Sequence, residues 1–368
     1  MKRIAHAALL CCICVATLFS AQPRANAQKK KQQPTTNQPA AQQPQPAAQA
    51  DEEIETVNTA LVTVPVRVSD REGRFLTDLR REQFRVFEDG VEQEISFFET
   101  AEQPFTVALL LDMSDSARLK REEIRAAARA FVAQLHERDR VLVASFDKNV
   151  LLLTDATSDR QALSAAIGRT TAGSGTSIYD AVQEIVGRRL RSVPGRKAVV
   201  ILSDGIDTTS RATQAAAVAA ADASDALVYT VQYETTSEQS AVPVEAEGRG
   251  DTTATVTTSR GESITAAYRR ATLFLQMLSD RTGGRYYMAD SVGRLSESFA
   301  RIAEELRQQY SLGYYPRNRA GEGKRRKIKV TVDAPGAVVH ARPAYVFKPR
   351  RVSRRDDLAG SVAAIRMD

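Results

Sequence analysis

The chain has 368 residues, 43% hydrophobic and 26% charged, a globular balance that excludes a fibre or a wholly disordered chain and leaves room for about two domains. No interior run of about 18 apolar residues marks a membrane span. The 51 basic residues include Lys2, Arg3 and Arg24, which lie in a segment read below as an export signal; without them 48 basic residues face 45 acidic ones, which is no nucleic-acid signature.

Residues 1–27 read as that signal: Lys2 and Arg3, an apolar stretch from Ile4 to Phe19, then Ala25-Asn26-Ala27 as a cleavage site. The expected location is therefore the periplasm, the cell envelope or the exterior. Cys11, Cys12 and Cys14 all fall inside this segment, so the mature chain has no disulfide, thiolate metal site or cysteine nucleophile. Residues 28–55 form a Gln, Pro and Ala spacer with nothing large enough to build a core.

From residue 56 to 103 the pattern alternates. Val62, Val64, Val66 and Val68 point one way, and Phe84 to Phe87 and Val91 to Phe98 flank Glu88-Asp89-Gly90 as a hairpin would. From 104 to 310 the period changes. Apolar strands at Phe105 to Leu111, Arg140 to Phe146, Val150 to Leu153, Lys197 to Ser203 and Ala226 to Tyr233 are separated by helical patterns. Those cover Ile124 to Leu135, Ser158 to Gly168, Ser177 to Leu190, Arg211 to Ser224, Ala266 to Thr282 and Val292 to Gln309. Continuous apolar strands between helices imply a doubly wound, mostly parallel α/β sheet covered on both faces. Residues 235–263 lack apolar periodicity and read as an insertion. Alternation returns over 311–349, and 350–368 is a basic tail. Neither alternating half can bury a sheet alone, so both ends are expected to join in one β-sandwich-like module with the α/β domain inserted between them.

Ligands of open α/β sheets bind at the carboxyl ends of the strands. Three loops stand there: Asp112-Met113-Ser114-Asp115-Ser116, Gly173-Ser174-Gly175-Thr176-Ser177 and Asp204-Gly205-Ile206-Asp207. Their candidate ligands, Asp112, Ser114, Ser116, Thr176 and Asp204, are all oxygen donors. Two carboxylates and three hydroxyls without histidine or thiol suit Mg2+, with Mn2+ or Ca2+ as alternatives, over Zn2+ or Cu+. A cation so sparsely neutralised still attracts an incoming carboxylate.

Asp112-x-Ser114-x-Ser116, Gly175-Thr176 and Asp204-Gly205 together resemble the metal ion-dependent adhesion site of a von Willebrand factor type A domain. The resemblance implies that Ser114, Ser116 and Thr176 contact Mg2+, that Asp112 and Asp204 hold it largely through water, and that a Glu or Asp of a protein partner completes the octahedron. The wider layout, with the Glu88-Asp89-Gly90 turn and the closing Tyr310 to Tyr315 segment, is similar to exported bacterial proteins called von Willebrand factor A-related.

Plainer readings apply to several of these residues. Asp112 and Asp204 could each be a helix cap. Asp115 and Asp207 read as loop solvation, Asp147 as a turn residue, Arg249-Gly250-Asp251 as a chance tripeptide, and Lys324-Arg325-Arg326-Lys327 as a solvated strand face. Tyr286-Tyr287 and Tyr314-Tyr315 read as core and edge packing. Enzyme chemistry lacks its parts: Ser114 stands where a haloacid-dehalogenase-type phosphatase needs a second Asp, no G-x-S-x-G elbow accompanies His136 or His340, and no phosphate-binding G-x-x-x-x-G-K-[ST] loop exists. The expectation is a non-enzymatic, exported binding module, or alternatively a structural component of a cell-envelope assembly in which the metal only stabilises the fold. No nucleic acid is expected as partner, and membrane contact only through a retained N-terminal anchor or the basic tail.

Overall fold

A computed structural model describes residues 61–100, 103–233, 261–318, 321 and 323–347. The export signal, the spacer, the basic tail, Arg249-Gly250-Asp251 and all but the last three residues of the 235–263 insertion lie outside the described residues.

Four strands come first: β1 (Val62–Ser69), β2 (Phe84–Glu88), β3 (Val91–Gln93) and β4 (Ile95–Glu99). The α/β part follows as β5 (Phe105–Asp112), α1 (Arg121–Gln134), β6 (Arg140–Phe146), β7 (Val150–Thr157), α2 (Arg160–Gly168), α3 (Ile178–Ile185), β8 (Arg196–Ser203) and α4 (Gln214–Asp222). It continues with β9 (Leu227–Tyr233), α5 (Ile264–Thr282), β10 (Tyr286–Ala289) and α6 (Val292–Arg307). The last strands are β11 (Gln309–Tyr314), β12 (Arg325–Val332), β13 (Val338–Ala341) and β14 (Ala344–Val346).

The central sheet has the order β10-β9-β8-β5-β6-β7, parallel except for β7, which runs antiparallel to β6. Every residue of β5 is buried, which is why its sequence is an unbroken apolar run. Its side chains alternate between two cores. Val107, Leu109 and Leu111 meet α1, α2 and α6 on one face, and Ala108 and Leu110 meet α3, α4 and α5 on the other. From β5 the chain winds first to β6 on one side and later to β8 on the other, so a crevice opens at the carboxyl ends of β5 and β8. Helix starts follow local chemistry: Asp159 accepts from the amides of Gln161 and Ala162, and Thr213, Ser263 and Ser291 cap α4, α5 and α6. The helix expected over Ser177 to Leu190 stops at Ile185; Gly187 packs where a Cβ would lie 2.5 Å from the Gln183 carbonyl oxygen, and a short 3-10 turn takes over at Arg189–Ser192.

The remaining strands form two four-stranded sheets, β13-β1-β11-β4 and β14-β12-β2-β3, each built from both ends of the chain. Their inner faces share one core that includes Val64, Val66, Phe84, Val86, Tyr310, Leu312, Tyr314 and Tyr345, the sandwich expected from unpaired edges. The alternating stretch Val338 to Phe347 is broken at Arg342-Pro343 into two strands that join different sheets. Proline cannot donate to a ladder, and the Arg342 guanidinium turns away to hold the carbonyls of Ser224 (2.8 Å) and Asp222 (2.9 Å) in the α/β domain.

Two buried ion pairs bear on how the ends of the chain are held. Inside the sandwich Glu88 accepts from Tyr314 Oη (2.8 Å), Tyr345 Oη (2.6 Å) and Arg326 Nη1 (2.6 Å). Arg326 therefore departs from the solvated-face reading: strand alternation leaves Arg325 and Lys327 outside and carries Arg326 in. At the junction with the α/β domain, Arg67 of β1 pairs with Glu305 of α6, which also takes Arg285 Nη1 (2.9 Å) and Tyr287 Oη (2.7 Å).

Candidate metal centre

The end of β5 delivers Asp112 into the crevice, fully buried. Its Oδ1 accepts from the Ser114 amide at 3.0 Å and its Oδ2 from Ser203 Oγ at 2.5 Å. Ser203 in turn accepts from the Gly205 amide at 2.8 Å, so one hydroxyl orients Asp112 and the following turn together. At the end of β8, Asp204 Oδ1 accepts from the Ile206 amide at 3.0 Å. Both aspartates thus close local turns two residues ahead. Neither caps a helix, because α1 and α4 begin later, behind Lys120 and Thr213.

Ser114 Oγ and Ser116 Oγ lie 2.9 Å apart, because a short 3-10 turn at Asp115–Lys120, which starts just after Ser114, brings Ser116 back beside it. Thr176 comes from a loop tied to its two neighbours. The Gly173 amide donates to the Met113 carbonyl (2.9 Å), the amides of Thr208 (2.9 Å) and Thr209 (3.1 Å) donate to the Thr176 carbonyl, and the Thr176 amide donates to Thr208 Oγ1 (2.8 Å). Gly175 makes this approach possible: its φ is +73°, and a Cβ there would lie 2.6 Å from Thr209 Cγ2. Ser114, Thr176 and Asp204 are buried and Ser116 is half-buried. All three loops meet at the carboxyl edge of the sheet.

Electrostatics mark the same place. Burial pushes the Asp112 carboxyl up to about 7, and the neighbouring Asp204 carboxylate adds to the rise. Two adjoining buried carboxylates with hydroxyls around them fit a hard divalent cation, which would offset the repulsion that raises Asp112. Among the described residues, no group of three or more His, Cys, Asp or Glu could hold a metal. A cation here would draw on hydroxyls and water as much as on carboxylates.

Other residues of the crevice escaped sequence reasoning. Asp207, read as solvated, is 3% exposed, because the pairing of Thr208 and Thr209 with Thr176 folds its loop inward. Gln232 is buried, donates to the Asp204 carbonyl at 2.8 Å and accepts from Thr272 and Tyr286. Its only signal in the sequence was an amide on an otherwise apolar strand. Asp147 is the turn residue expected, accepting from the Asn149 amide at 2.6 Å, and Asp115 is exposed.

The sequence profile of the von Willebrand factor type A domain matches residues 107–206, a span that contains all five candidate ligands. No curated protein matches the chain. Among solved structures, the vWF domain of the type V pili tip protein Mfa5 from Porphyromonas gingivalis is similar at 14% identity and a TM-score of 0.41, covering 55% of this chain and 94% of that one. An aerotolerance-related membrane protein from Bacteroides fragilis gives 18% identity and a TM-score of 0.38, covering 55% and 98%. A von Willebrand factor type A protein from Catenulispora acidiphila gives 12% identity and a TM-score of 0.43, covering 83% and 78%.

Proposed function

Starting from a chain that contains a von Willebrand factor type A domain, we propose that the protein is an exported, non-enzymatic binding module that captures a Glu or Asp side chain of a protein partner through a divalent cation. The observation that carries this reading is the meeting of Asp112, Ser114, Ser116, the Thr176 loop and Asp204 at the carboxyl ends of β5 and β8. Ser114, Ser116 and Thr176 would hold the cation directly, and Asp112 and Asp204 largely through water. When bound, Mg2+ would supply the positive charge that draws the partner's carboxylate. Ser203 keeps Asp112 turned to the crevice, and the ties between the loops keep the hydroxyls in place without help from a partner.

Calorimetry with Mg2+ tests the assignment. The parent protein should bind, and Asp112→Ala should lose binding while keeping its fold by circular dichroism; unchanged Mg2+ affinity in that variant would remove Asp112 from the site. One observation favours a second reading, a structural part in an envelope assembly: Asp112, Ser114, Thr176 and Asp204 are at most 4% exposed, so a cation could brace the fold alone. Partner association abolished by EDTA and restored by Mg2+ supports capture. Association indifferent to EDTA supports the structural role.

A further inference from the structure

Pairing of β13 with β1 sets His340 directly opposite Arg67, and opposite residues of an antiparallel pair share a face. That face is the outer one, because the neighbouring Val66 and Val68 belong to the sandwich core. Arg67 is 2% exposed there. It pairs with Glu305 of α6 and donates to the Gly283 carbonyl, in the turn between α5 and β10, at 3.1 Å. Arg285, from the same turn, reaches the other oxygen of Glu305 at 2.9 Å. Two guanidinium groups therefore share one carboxylate where the sandwich meets the α/β domain, and the positive charge left over lies beside His340.

His340 is half-buried, and its imidazole has no hydrogen bond or ion pair among the described residues. The residues that share its face on β13 and β1, Val338, Pro65 and Ser69, carry no charge. The opposing elements bring up Arg285, Glu305 and the phenols of Tyr287 and Tyr229. A cavity of about 620 Å³ beside them adds Arg74, Arg301 and Glu304; the first two have carboxylates of their own in Asp70 and Glu297, and Glu304 is exposed to water. Burial, then Arg67 and Arg285, hold the imidazole below its ordinary value of 6.5.

We propose that His340 makes the hold between the sandwich and the α/β domain sensitive to pH, a proton on its imidazole setting a third cation beside Arg67 and Arg285 and working against the Glu305 clamp. Like charges directly opposite on paired strands are destabilising. The imidazole takes its proton more readily in the unfolded chain than at the closed joint. The joint therefore has its full stability above about 6.5 and loses it as pH falls through that value. None of this depends on a metal. An exported protein, as proposed above, meets the pH of its surroundings directly, so acid is the signal this joint would read.

The test compares the parent with His340→Gln, which keeps a polar side chain and carries no charge. Melting in EDTA, followed by circular dichroism, is measured near pH 8 and near pH 5. Between the two, the parent should lose about 2 °C more than the variant, a small shift because water screens a half-exposed group. Taking the difference between the two proteins at each pH cancels the titration of other groups, Asp112 included. A histidine that only packs would give the same difference at both, and that result overturns the proposal. Proton NMR gives a second readout. The chain has three histidines, and the imidazole resonance missing from His340→Gln identifies this one. It should titrate below 6.5 and move upward in Arg285→Gln, a change at a side chain 44% exposed. Titration at or above that value in the parent, or a titration unmoved by Arg285→Gln, overturns the assignment of His340.

Discussion

Replacing Glu88 by alanine breaks the joint between the two ends of the chain. Glu88 arrives on β2, whereas its three donors, Tyr314, Arg326 and Tyr345, arrive more than 220 residues later. The carboxylate and the Arg326 guanidinium are 3% and 4% exposed. Without Glu88 the guanidinium keeps the Asn318 carbonyl at 2.6 Å and the Phe347 ring at 3.8 Å but no counter-charge from Glu88. Removing one member of a buried pair costs about 3–5 kcal/mol, and each stranded hydroxyl adds roughly 1 kcal/mol unless water enters. A loss of about 5–7 kcal/mol is large against a total stability of about 5–15 kcal/mol. It should lower the melting temperature by on the order of 10 °C for a unit of this size. Urea unfolding followed by circular dichroism measures it. Glu88→Leu combined with Arg326→Met should recover most of the loss, because an apolar pair of similar volume leaves no charge to bury. A loss under about 1 kcal/mol in Glu88→Ala, or a double variant no better than the single one, would refute the reasoning.

The clamp between β1 and α6 should behave as a coupled unit: a double-mutant cycle of Arg67→Met and Glu305→Gln, read by urea unfolding, is expected to give an interaction energy of about 1–3 kcal/mol, and simple additivity would mean that the pair does not hold the domains together. The raised Asp112 carboxyl sets a pH dependence. Its folded value, about 7, lies above the ordinary carboxylate value, so the metal-free protein has the associated stability at low pH and loses it as pH rises towards and through about 7. A cation bound there would replace that proton, so the rise in melting temperature caused by saturating Mg2+ should be small near pH 5 and large near pH 8; equal rises at both would contradict the placement of Asp112. Deleting residues 311–350 removes β11 from between β1 and β4, and limited proteolysis should then cut the strands before residue 100 while the α/β domain keeps its Mg2+ response. Protection of those strands as in the full chain would show that the two ends fold independently.

Local periodicity made much of this architecture legible. The unbroken apolar run of Phe105 to Leu111 specified a strand covered on both faces, the alternation of Val62 to Val68 specified a half-covered one, and each pattern follows from bonding geometry within a few residues. The candidate oxygen ligands were picked out on equally local signals: Asp112, Ser114 and Ser116 follow one strand, and Thr176 and Asp204 each sit in a recognisable turn. Other parts of the site and joint depended on which strand lies beside which. Ser203 reaches Asp112 across 91 residues, and His340 meets Arg67 only through the register of β1 with β13. Arg326 looked like one more surface charge until the sandwich closed over it, and Asp207 looked solvated until Thr176 drew its loop inward. A sequence states the period of a strand, and hence which residues share a face. The partner of that face is chosen by burying unpaired edges and apolar surface over the whole chain, and only the tertiary structure carries that choice.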